Sequence, residues 1–321
     1  MIDVLTDEIF DAITFVVAFG IAFVLYPPFI RMLQRFKSGQ VIQSELPESH
    51  QRKAGTPTGG GILFAALGIV AGLLASLAAV HEGALPGVAG LVAGGLIGFA
   101  DDRTKLRVGS LGIPARLKLP IQFLLALPVA AIALAQGGGH QYLLPSVLWL
   151  LFPLAVIAIV GTANAVNITD GMDGLAGGLS AIALAAMVLL LPGASAGEKV
   201  VALTLAGSLL AFLVNNRHPE RVFMGDTGAL AIGYALAAMA IQQGFIVLLP
   251  LLALVFVLET LSVIIQVAYF KASRGRRVFK MAPIHYTFHH EGWSENRIAL
   301  SFWGAGLVSA LAAAGVARLI T

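Results

Sequence analysis

Long apolar stretches recur along the whole of this 321-residue chain and constrain its fold more than any other feature. Only 12% of the residues are charged, about half the share found in a soluble domain, so lipid must be the solvent for most of the chain. The sequence therefore predicts an all-α polytopic membrane protein of about ten transmembrane helices, with residues 1–321 forming a single membrane domain. The predicted spans are 11–30, 59–80, 85–100, 118–136, 143–162, 174–192, 199–215, 227–243, 246–270 and 298–319.

The basic residues are confined almost entirely to alternate loops. Of the 20 Lys and Arg residues, 18 lie in the segments 31–53, 103–118, 217–221 and 271–297, which share one side of the membrane in the ten-span arrangement. The positive-inside rule makes that side cytoplasmic and places both termini on the other side. Because the basic residues mark topology in this way, the formal charge of +3 does not indicate a nucleic-acid partner. The absence of cysteine excludes disulfides and thiol chemistry.

Five aspartates lie at the predicted cytoplasmic ends of the apolar spans. An ionisable group close to hydrocarbon is costly and usually functional, although interfacial solvation explains a single such residue equally well. Five on one side, three of them beside glycine, favour a functional site. Aspartate and asparagine oxygens are ligands that Mg²⁺ prefers, usually together with substrate phosphates. The five are Asp101, Asp102, Asp170, Asp173 and Asp226.

Two loops on the same side add groups that suit a phosphate. Residues 50–61 read HQRKAGTPTGGG, in which Lys53 precedes Thr58 and a glycine run, although basic residues at this place also serve as topology determinants. Residues 281–293 contain His285, His289 and His290, and we interpret this loop as a substrate-contacting segment.

Inside the spans, Glu259 and Gln266 suit either the site or hydrogen bonds between helices, whereas the glycines of 94–98 indicate close helix packing.

Taken together, these segments resemble the polyprenyl-phosphate N-acetylhexosamine-1-phosphate transferases. The motif KMAPIH at 280–285, followed by Gly292-Trp293, favours the muramoyl-pentapeptide branch of that family. The matching segments occur in family order and agree with the ten-span topology. They are 50–61, 98–102, 164–174, Asn216 with 223–228, 259–262 and 281–293.

The resemblance implies an activity, its cofactor and its place. The implied enzyme transfers phospho-N-acetylmuramoyl-pentapeptide from UDP to undecaprenyl phosphate with Mg²⁺, giving lipid I and UMP in peptidoglycan synthesis. It is a multi-pass protein of the bacterial inner membrane and a homodimer. Because the donor is soluble and the polyprenyl tail stays in lipid, we expect a cytoplasmic site and a groove between spans that opens sideways into the bilayer.

The resemblance also implies roles for individual residues. Asp226 is the implied main metal ligand, with Asn167 as a second ligand. Asp101 and Asp102 are implied to engage the lipid phosphate, one of them as its base, and His285 begins the family's histidine motif. The implied diphosphate-binding residues are Lys53, Asn167, Asp170, Asp173 and Asn216, the implied uridine pocket is Gly171, Met172 and Phe223, and further substrate contacts are Thr58 and Asn164.

The chain departs from the family pattern in its histidine motif. The family usually has three consecutive histidines where this chain has His285-Tyr286-Thr287, so His289 and His290 are the candidates to replace the second and third contacts. Another departure, Gly59 in place of the usual methionine, is minor. Two alternatives stay open: a family relative that uses UDP-N-acetylglucosamine, and a secondary transporter. Transporters place their ionisable groups near the bilayer midplane, whereas the aspartates of this chain gather at one surface.

Overall fold

The computed structural model describes residues 2–36, 55–78, 82–106, 112–137 and 139–321 of the chain. All regular elements in these ranges are α-helices, and no β-strand occurs among them. Numbered in chain order, the helices are α1 (Ile2–Arg35), α2 (Gly61–Leu77), α3 (Leu85–Lys105), α4 (Ala115–Gln136), α5 (Leu148–Thr169), α6 (Leu175–Leu189), α7 (Ala196–Asn216), α8 (Gly225–Gln242), α9 (Leu249–Leu252), α10 (Leu254–Ala272), α11 (Ile284–His290) and α12 (Glu295–Ile320).

The described helices confirm a polytopic membrane fold. Seven of them, α1, α3, α4, α5, α7, α10 and α12, are long and apolar enough to cross a membrane. Helices α2 and α6 are apolar but shorter, and α8 has 18 residues. Together these ten helices match the ten predicted spans in order, and α9 and α11 are short connecting helices.

Helix α8 forms the core of the bundle, and every residue from Asp226 to Gln242 is buried. It packs most closely against α3, whose contact face is a row of glycines four residues apart. A Cβ atom added at Gly94 would lie 2.4 Å from the Leu230 carbonyl oxygen, and one at Gly98 would lie 2.3 Å from that of Asp226. Because only glycine permits this approach, the prediction of close helix packing at 94–98 is confirmed. The next turn of α3 therefore lies against the first turn of α8.

An apolar groove separates α5 from the pair α9 and α10. Its volume is about 240 Å³, and its walls include Ala158, Gly161 and Ala165 on one side and Leu249, Ala253 and Phe256 on the other. On α5 the groove extends to within a few residues of the end of the helix at Thr169. All five aspartates lie at or just beyond helix ends on this side of the bundle, so the groove leads towards them.

Candidate active site

A cluster of two carboxylates and two ammonium groups forms where α3, α4 and α8 meet. Lys105 Nζ lies 2.8 Å from Asp101 Oδ2 and 2.7 Å from Asp226 Oδ1. Lys118 Nζ lies 3.2 Å from Asp101 Oδ2 and also donates to Asp226 Oδ2. Asp101 and Lys105 share one face of the last turn of α3 because they are four residues apart. We call these four residues the carboxylate–lysine cluster.

Asp102 is adjacent to Asp101 in sequence but has a different set of partners. Its Oδ1 accepts a hydrogen bond from the Asp226 main-chain N–H at 3.0 Å, and its Oδ2 accepts from the N–H and hydroxyl of Thr227 at 2.9 and 2.6 Å. A carboxylate in this place satisfies free N–H groups at the start of α8 and complements the positive end of its dipole. Asp102 therefore fixes the first turn of α8, which carries Asp226.

Gly225 makes room for this contact. Its φ of 78° is a left-handed conformation that favours glycine. A Cβ atom there would lie 2.8 Å from Asp102 Oδ2 and 2.9 Å from Thr58 Oγ1. Thr58 is buried at the same point, so the loop before α2 closes one wall of the site.

The loop of residues 170–174 forms a second part of the site and is held mainly by hydrogen bonds from neutral groups. Asn216 Oδ1 accepts from the Gly174 N–H at 3.0 Å, while its Nδ2 donates to the Val222 carbonyl oxygen at 2.9 Å. The indole N–H of Trp303 donates to the Gly174 carbonyl oxygen at 3.2 Å. Gly174 itself has a φ of 74°. Asn216 therefore joins the 170–174 loop to the segment that leads into α8.

His285 and Tyr286 on α11 approach the same loop. His285 is fully buried, and its Nδ1 lies 3.0 Å from Glu259 Oε2. Its Nε2 has no hydrogen-bond partner among the described residues and faces Gly171, where a Cβ atom would lie 2.9 Å away. The Tyr286 hydroxyl donates to the Gly171 carbonyl oxygen at 2.8 Å. The residue in the second position of the histidine motif is thus a tyrosine bound to the main chain of the 170–174 loop.

Asp170 connects the two parts of the site electrostatically. Burial raises the pKa of Asp170 well above its ordinary value of 3.8, and the negative charges of Asp226 and Asp102 raise it further, while Lys105 opposes the shift. An opposing or reinforcing charge acts strongly only at short range in a partly desolvated place. The 170–174 loop therefore lies close enough to the carboxylate–lysine cluster for their charges to interact.

Comparisons with known proteins agree with this geometry. A family model described as glycosyl transferase family 4 matches residues 85–244, from the first residue of α3 to just beyond α8. The chain is 43% identical over 307 residues to a phospho-N-acetylmuramoyl-pentapeptide-transferase of Heliobacterium modesticaldum, covering 92% of this chain and 94% of that protein. Similarly named proteins of Bacillus cytotoxicus and Halalkalibacterium halodurans are 42% and 40% identical, over 92% and 94% of this chain and 94% and 95% of their own lengths.

The chain belongs to the phospho-N-acetylmuramoyl-pentapeptide-transferase family. Membership confirms the resemblance drawn from the motifs at both levels, the superfamily and its muramoyl-pentapeptide branch.

Among the residues that the structure describes, two places have groups that could hold a metal ion. Asp226, with the half-buried Asn167 predicted beside it, offers hard oxygen ligands of the kind that suit Mg²⁺. A separate group of Asp173, His218 and Glu220 has ligand atoms within 4.8 Å of one another, and Asp173 Oδ2 lies 3.1 Å from His218 Nδ1. An imidazole ligand suits transition metals better than Mg²⁺. The donor chemistry therefore fits Mg²⁺ better at Asp226.

Some residues predicted to bind substrate have their hydrogen bonds directed to the protein itself. Asn164 Nδ2 donates to Gln122 Oε1 and to the Val160 carbonyl oxygen, both at 2.8 Å. His289 Nδ1 lies 3.3 Å from the Trp293 carbonyl oxygen. Substrate contacts by Asn164 and His289 stay predictions.

The other predicted contacts lie around the same surface. Phe223 is half-buried, and its main chain pairs with the loop before α2 through Pro57 and Gly60. Met172 is a buried residue of the 170–174 loop, whereas His290 is exposed. Lys53 lies outside the described residues.

Sequence reasoning missed several residues that the structure places in the site. Lys105 and Lys118 were interpreted only as topology determinants, although the spacing of Lys105 four residues after Asp101 indicates a shared helix face. Glu259 had two interpretations, and its contact with His285 favours the site. Gln266, which had the same two interpretations, bonds instead to the main chain of Val278 and Phe279.

Proposed function

We propose that the protein transfers phospho-N-acetylmuramoyl-pentapeptide from its UDP derivative to undecaprenyl phosphate at the cytoplasmic face of the bacterial inner membrane, giving lipid I and UMP. The observation that supports this most is the carboxylate–lysine cluster beside the 170–174 loop, in a chain that belongs to the transferase family. Phosphoryl transfer needs positioning and charge stabilisation more than covalent help from the protein, and this cluster supplies both.

Lys105 and Lys118 stabilise the negative charge of the reacting phosphates. Both ammonium groups are held between Asp101 and Asp226, so their position is fixed before substrate arrives. As the donor diphosphate enters, its oxygens take over part of the hydrogen bonding that the two carboxylates now provide. A pre-arranged positive site of this kind needs little reorganisation during the reaction.

The reaction is a single displacement in this proposal. An oxygen of the lipid phosphate attacks the β-phosphorus of the donor, and the bond from that phosphorus to the bridging oxygen breaks to release UMP. A phosphate monoester has a second pKa near 6, so the attacking oxygen is largely ionised at neutral pH and needs no base. Asp102, whose two oxygens already accept three hydrogen bonds, acts by positioning Asp226.

Asp226 and Asn167 would hold the Mg²⁺ ion. When bound, the ion would neutralise charge on the diphosphate and on the departing UMP. The contribution of the chain itself is the orientation of Asp226, which Asp102 secures through the first turn of α8.

The two substrates reach the cluster from different directions. The apolar groove between α5 and α9–α10 suits the polyprenyl chain, because it is lined mainly by small and apolar side chains and leads along α5 towards Asp170. The uridine binds at the 170–174 loop, where Gly171 and Met172 lie, with the half-buried ring of Phe223 nearby in the pocket. The protein acts as a homodimer in this proposal, which light scattering of the purified protein would test.

The function is tested by UMP release from purified protein in detergent with undecaprenyl phosphate and Mg²⁺. We expect release with UDP-N-acetylmuramoyl-pentapeptide but not with UDP-N-acetylglucosamine, and loss of release on omitting Mg²⁺ and in Asp226→Asn. Asp11→Asn is the matched control, because Asp11 pairs with Lys199 at the start of α7, away from the cluster. Release only with the N-acetylglucosamine donor would assign another branch, and no release with either donor from folded protein would contradict the proposal.

A further inference from the structure

A strongly basic stretch of the chain begins in the last turn of α10. Residues 271–277 read KASRGRR, and no acidic residue occurs anywhere from 260 to 290. We call residues 271–277 the basic segment. It contains four cationic side chains, all of them exposed: Lys271, Arg274, Arg276 and Arg277.

The charge of the basic segment is not neutralised within the part of the chain that the structure describes. A nearby ion pair, between Lys280 Nζ and Glu291 Oε1 at 3.1 Å, lies just beyond the segment. None of the four cationic side chains of the segment forms an ion pair with a described residue. Like charges at short range repel one another, so a negatively charged partner would stabilise this part of the molecule.

Hydrogen bonds give the main chain of the basic segment a fixed shape. The Ser273 hydroxyl donates to the carbonyl oxygen of Arg276 and accepts from its N–H, both at 3.2 Å. Just after the segment, Gln266 Oε1 accepts from the N–H groups of Val278 and Phe279, both at 3.0 Å, and so fastens the chain back to α10. A residue that only marks topology needs its charge but no fixed arrangement. Topology alone therefore does not account for this ordered turn.

The helix that carries the basic segment places it at the level of the lipid headgroups. Helix α10 is long and apolar enough to cross a membrane, and the segment begins at its end. Tyr269 and Phe270, in the last turn of α10, are 43% and 44% exposed. Exposed aromatic side chains at the end of a span are typical of the membrane–water interface. At this level the four cations lie close to headgroup phosphates, whose attraction extends over a Debye length of about 8 Å.

We infer that the basic segment binds anionic phospholipids through their headgroup phosphates. Three of its four cations are arginines, whose guanidinium groups donate paired hydrogen bonds to phosphate. A nucleic acid or an acidic protein would also meet positive charge here, but the exposed aromatic side chains beside the segment fit a lipid surface better. In the predicted topology this end of α10 faces the cytoplasm, and anionic lipids of that leaflet attract basic segments next to a span.

A lipid bound here would act on the helix that forms a wall of the apolar groove. Helix α10 contributes Phe256, Val257 and Leu261 to that groove. A headgroup bound at the end of α10 would hold the helix at the membrane surface and keep this wall in place. The inference does not depend on the proposed function, because lipid binding is measured without turnover.

Native mass spectrometry of the full chain in detergent tests the inference. The delipidated protein is titrated with phosphatidylglycerol or with phosphatidylcholine of the same acyl chains, and wild type is expected to prefer phosphatidylglycerol about tenfold or more. Each basic residue near an anionic surface contributes about fivefold in affinity. The double variant Arg274→Gln with Arg276→Gln is therefore expected to weaken phosphatidylglycerol binding about 10- to 30-fold and to leave phosphatidylcholine binding unchanged. Neither side chain forms a hydrogen bond with a described residue, so the ordered turn should survive the change.

A second double variant controls for general attraction between the protein and charged lipid. Arg31→Gln with Arg35→Gln removes the same charge from exposed residues at the end of α1 that shares the cytoplasmic side in the predicted topology. It is expected to change phosphatidylglycerol binding less than about twofold. Hydrogen exchange should slow in the basic segment when phosphatidylglycerol is added, and should not slow at the end of α1. An excess of inorganic phosphate should not displace the lipid.

Three outcomes would overturn the inference. Equal affinity of wild type for the two lipids would remove the preference for an anionic headgroup. Equal losses in the two double variants would leave only general attraction by the basic side of the protein. Displacement of the lipid by inorganic phosphate would assign a site for a free anion in place of a lipid site.

Discussion

The two parts of the active site are held by different kinds of interaction. In the carboxylate–lysine cluster, two carboxylates share two ammonium groups, and each contact is between opposite charges. The 170–174 loop is held mainly by neutral groups, through the amide of Asn216, the hydroxyl of Tyr286 and the indole of Trp303. Charged contacts in a partly desolvated place are strong but exchangeable with a charged substrate. Neutral hydrogen bonds fix the shape of a pocket without attracting phosphate.

This difference suggests that the carboxylate–lysine cluster acts in turnover and the 170–174 loop in substrate recognition. Changes in the cluster alter the charge that meets the reacting phosphates, so they should lower kcat. Changes around the 170–174 loop alter the shape of the proposed uridine pocket, so they should raise KM. Each of the following variants tests one of these two roles, and the largest expected effect comes first.

The neighbouring residues Asp101 and Asp102 provide the strongest test. Asp101→Asn removes a charge that positions both lysines, and we expect kcat to fall about 10²- to 10³-fold, the range for losing one pre-organised electrostatic group. Asp102→Asn keeps only one acceptor oxygen for three donors, and we expect a loss of about 1–3 kcal/mol in the free energy of unfolding. UMP release and thermal unfolding, measured on both variants, check the pair. Equal losses of stability in the two variants would contradict the separate roles.

Lys118→Gln also tests the carboxylate–lysine cluster, and its expected effect is smaller than that of Asp101→Asn. A hydrogen bond to a charged group contributes about 1.5–3 kcal/mol, so we expect kcat to fall about 10- to 100-fold while KM changes little. Lys280→Gln is the matched control. Lys280 lies in the loop before α11, is exposed, and pairs with Glu291 just after that helix. The measurement is steady-state UMP release against donor concentration. A rise in KM with unchanged kcat would place Lys118 in substrate binding alone.

The sequence was sufficient for the helices and for the side of the bundle on which the aspartates gather. Apolar length determines the spans, and a carboxylate that follows a span must lie at its end, so Asp101, Asp170 and Asp226 could be grouped without a structure. The glycines at 94–98 also indicated close packing correctly. Each of these signals can be recognised within a short stretch of the sequence, without knowledge of contacts between distant segments.

Contacts between distant segments could not be predicted. Asp102 secures a helix that begins more than 120 residues later, and no spacing rule relates the two. Lys118 resembles any lysine at the cytoplasmic end of a span, so its contact with Asp226 depends on how α4 packs. Tyr286 looked like a loss from the histidine motif, because its bond to the Gly171 carbonyl oxygen exists only in the folded chain.

Tyr286→Phe tests the role of the 170–174 loop in substrate recognition. The variant keeps the ring that packs against His285 and removes only the hydroxyl that binds the Gly171 carbonyl oxygen. A neutral hydrogen bond contributes about 0.5–1.5 kcal/mol, so we expect KM for the nucleotide donor to rise about 2- to 10-fold with little change in kcat. Tyr269→Phe serves as control, because Tyr269 is an exposed residue on α10. A fall in kcat alone would show that the loop contributes to turnover.

Asp170 joins the two parts of the site, and the effect of replacing it should depend on pH and nearly disappear at pH 4. Its folded-state pKa is raised by burial and by the charges of Asp226 and Asp102, so the folded protein holds this proton more tightly than the unfolded chain. Stability from this group is therefore present below the unfolded pKa and is lost as pH rises towards the folded pKa. An asparagine side chain does not ionise, so in Mg²⁺-free buffer we expect Asp170→Asn to unfold at a higher temperature than wild type at pH 8 and at nearly the same temperature at pH 4. Thermal unfolding of both proteins across that range isolates this residue, since all other groups titrate in both. A gap that does not change with pH would mean that the pKa of Asp170 is the same in the folded and unfolded protein, and that the loop lies outside the field of the cluster.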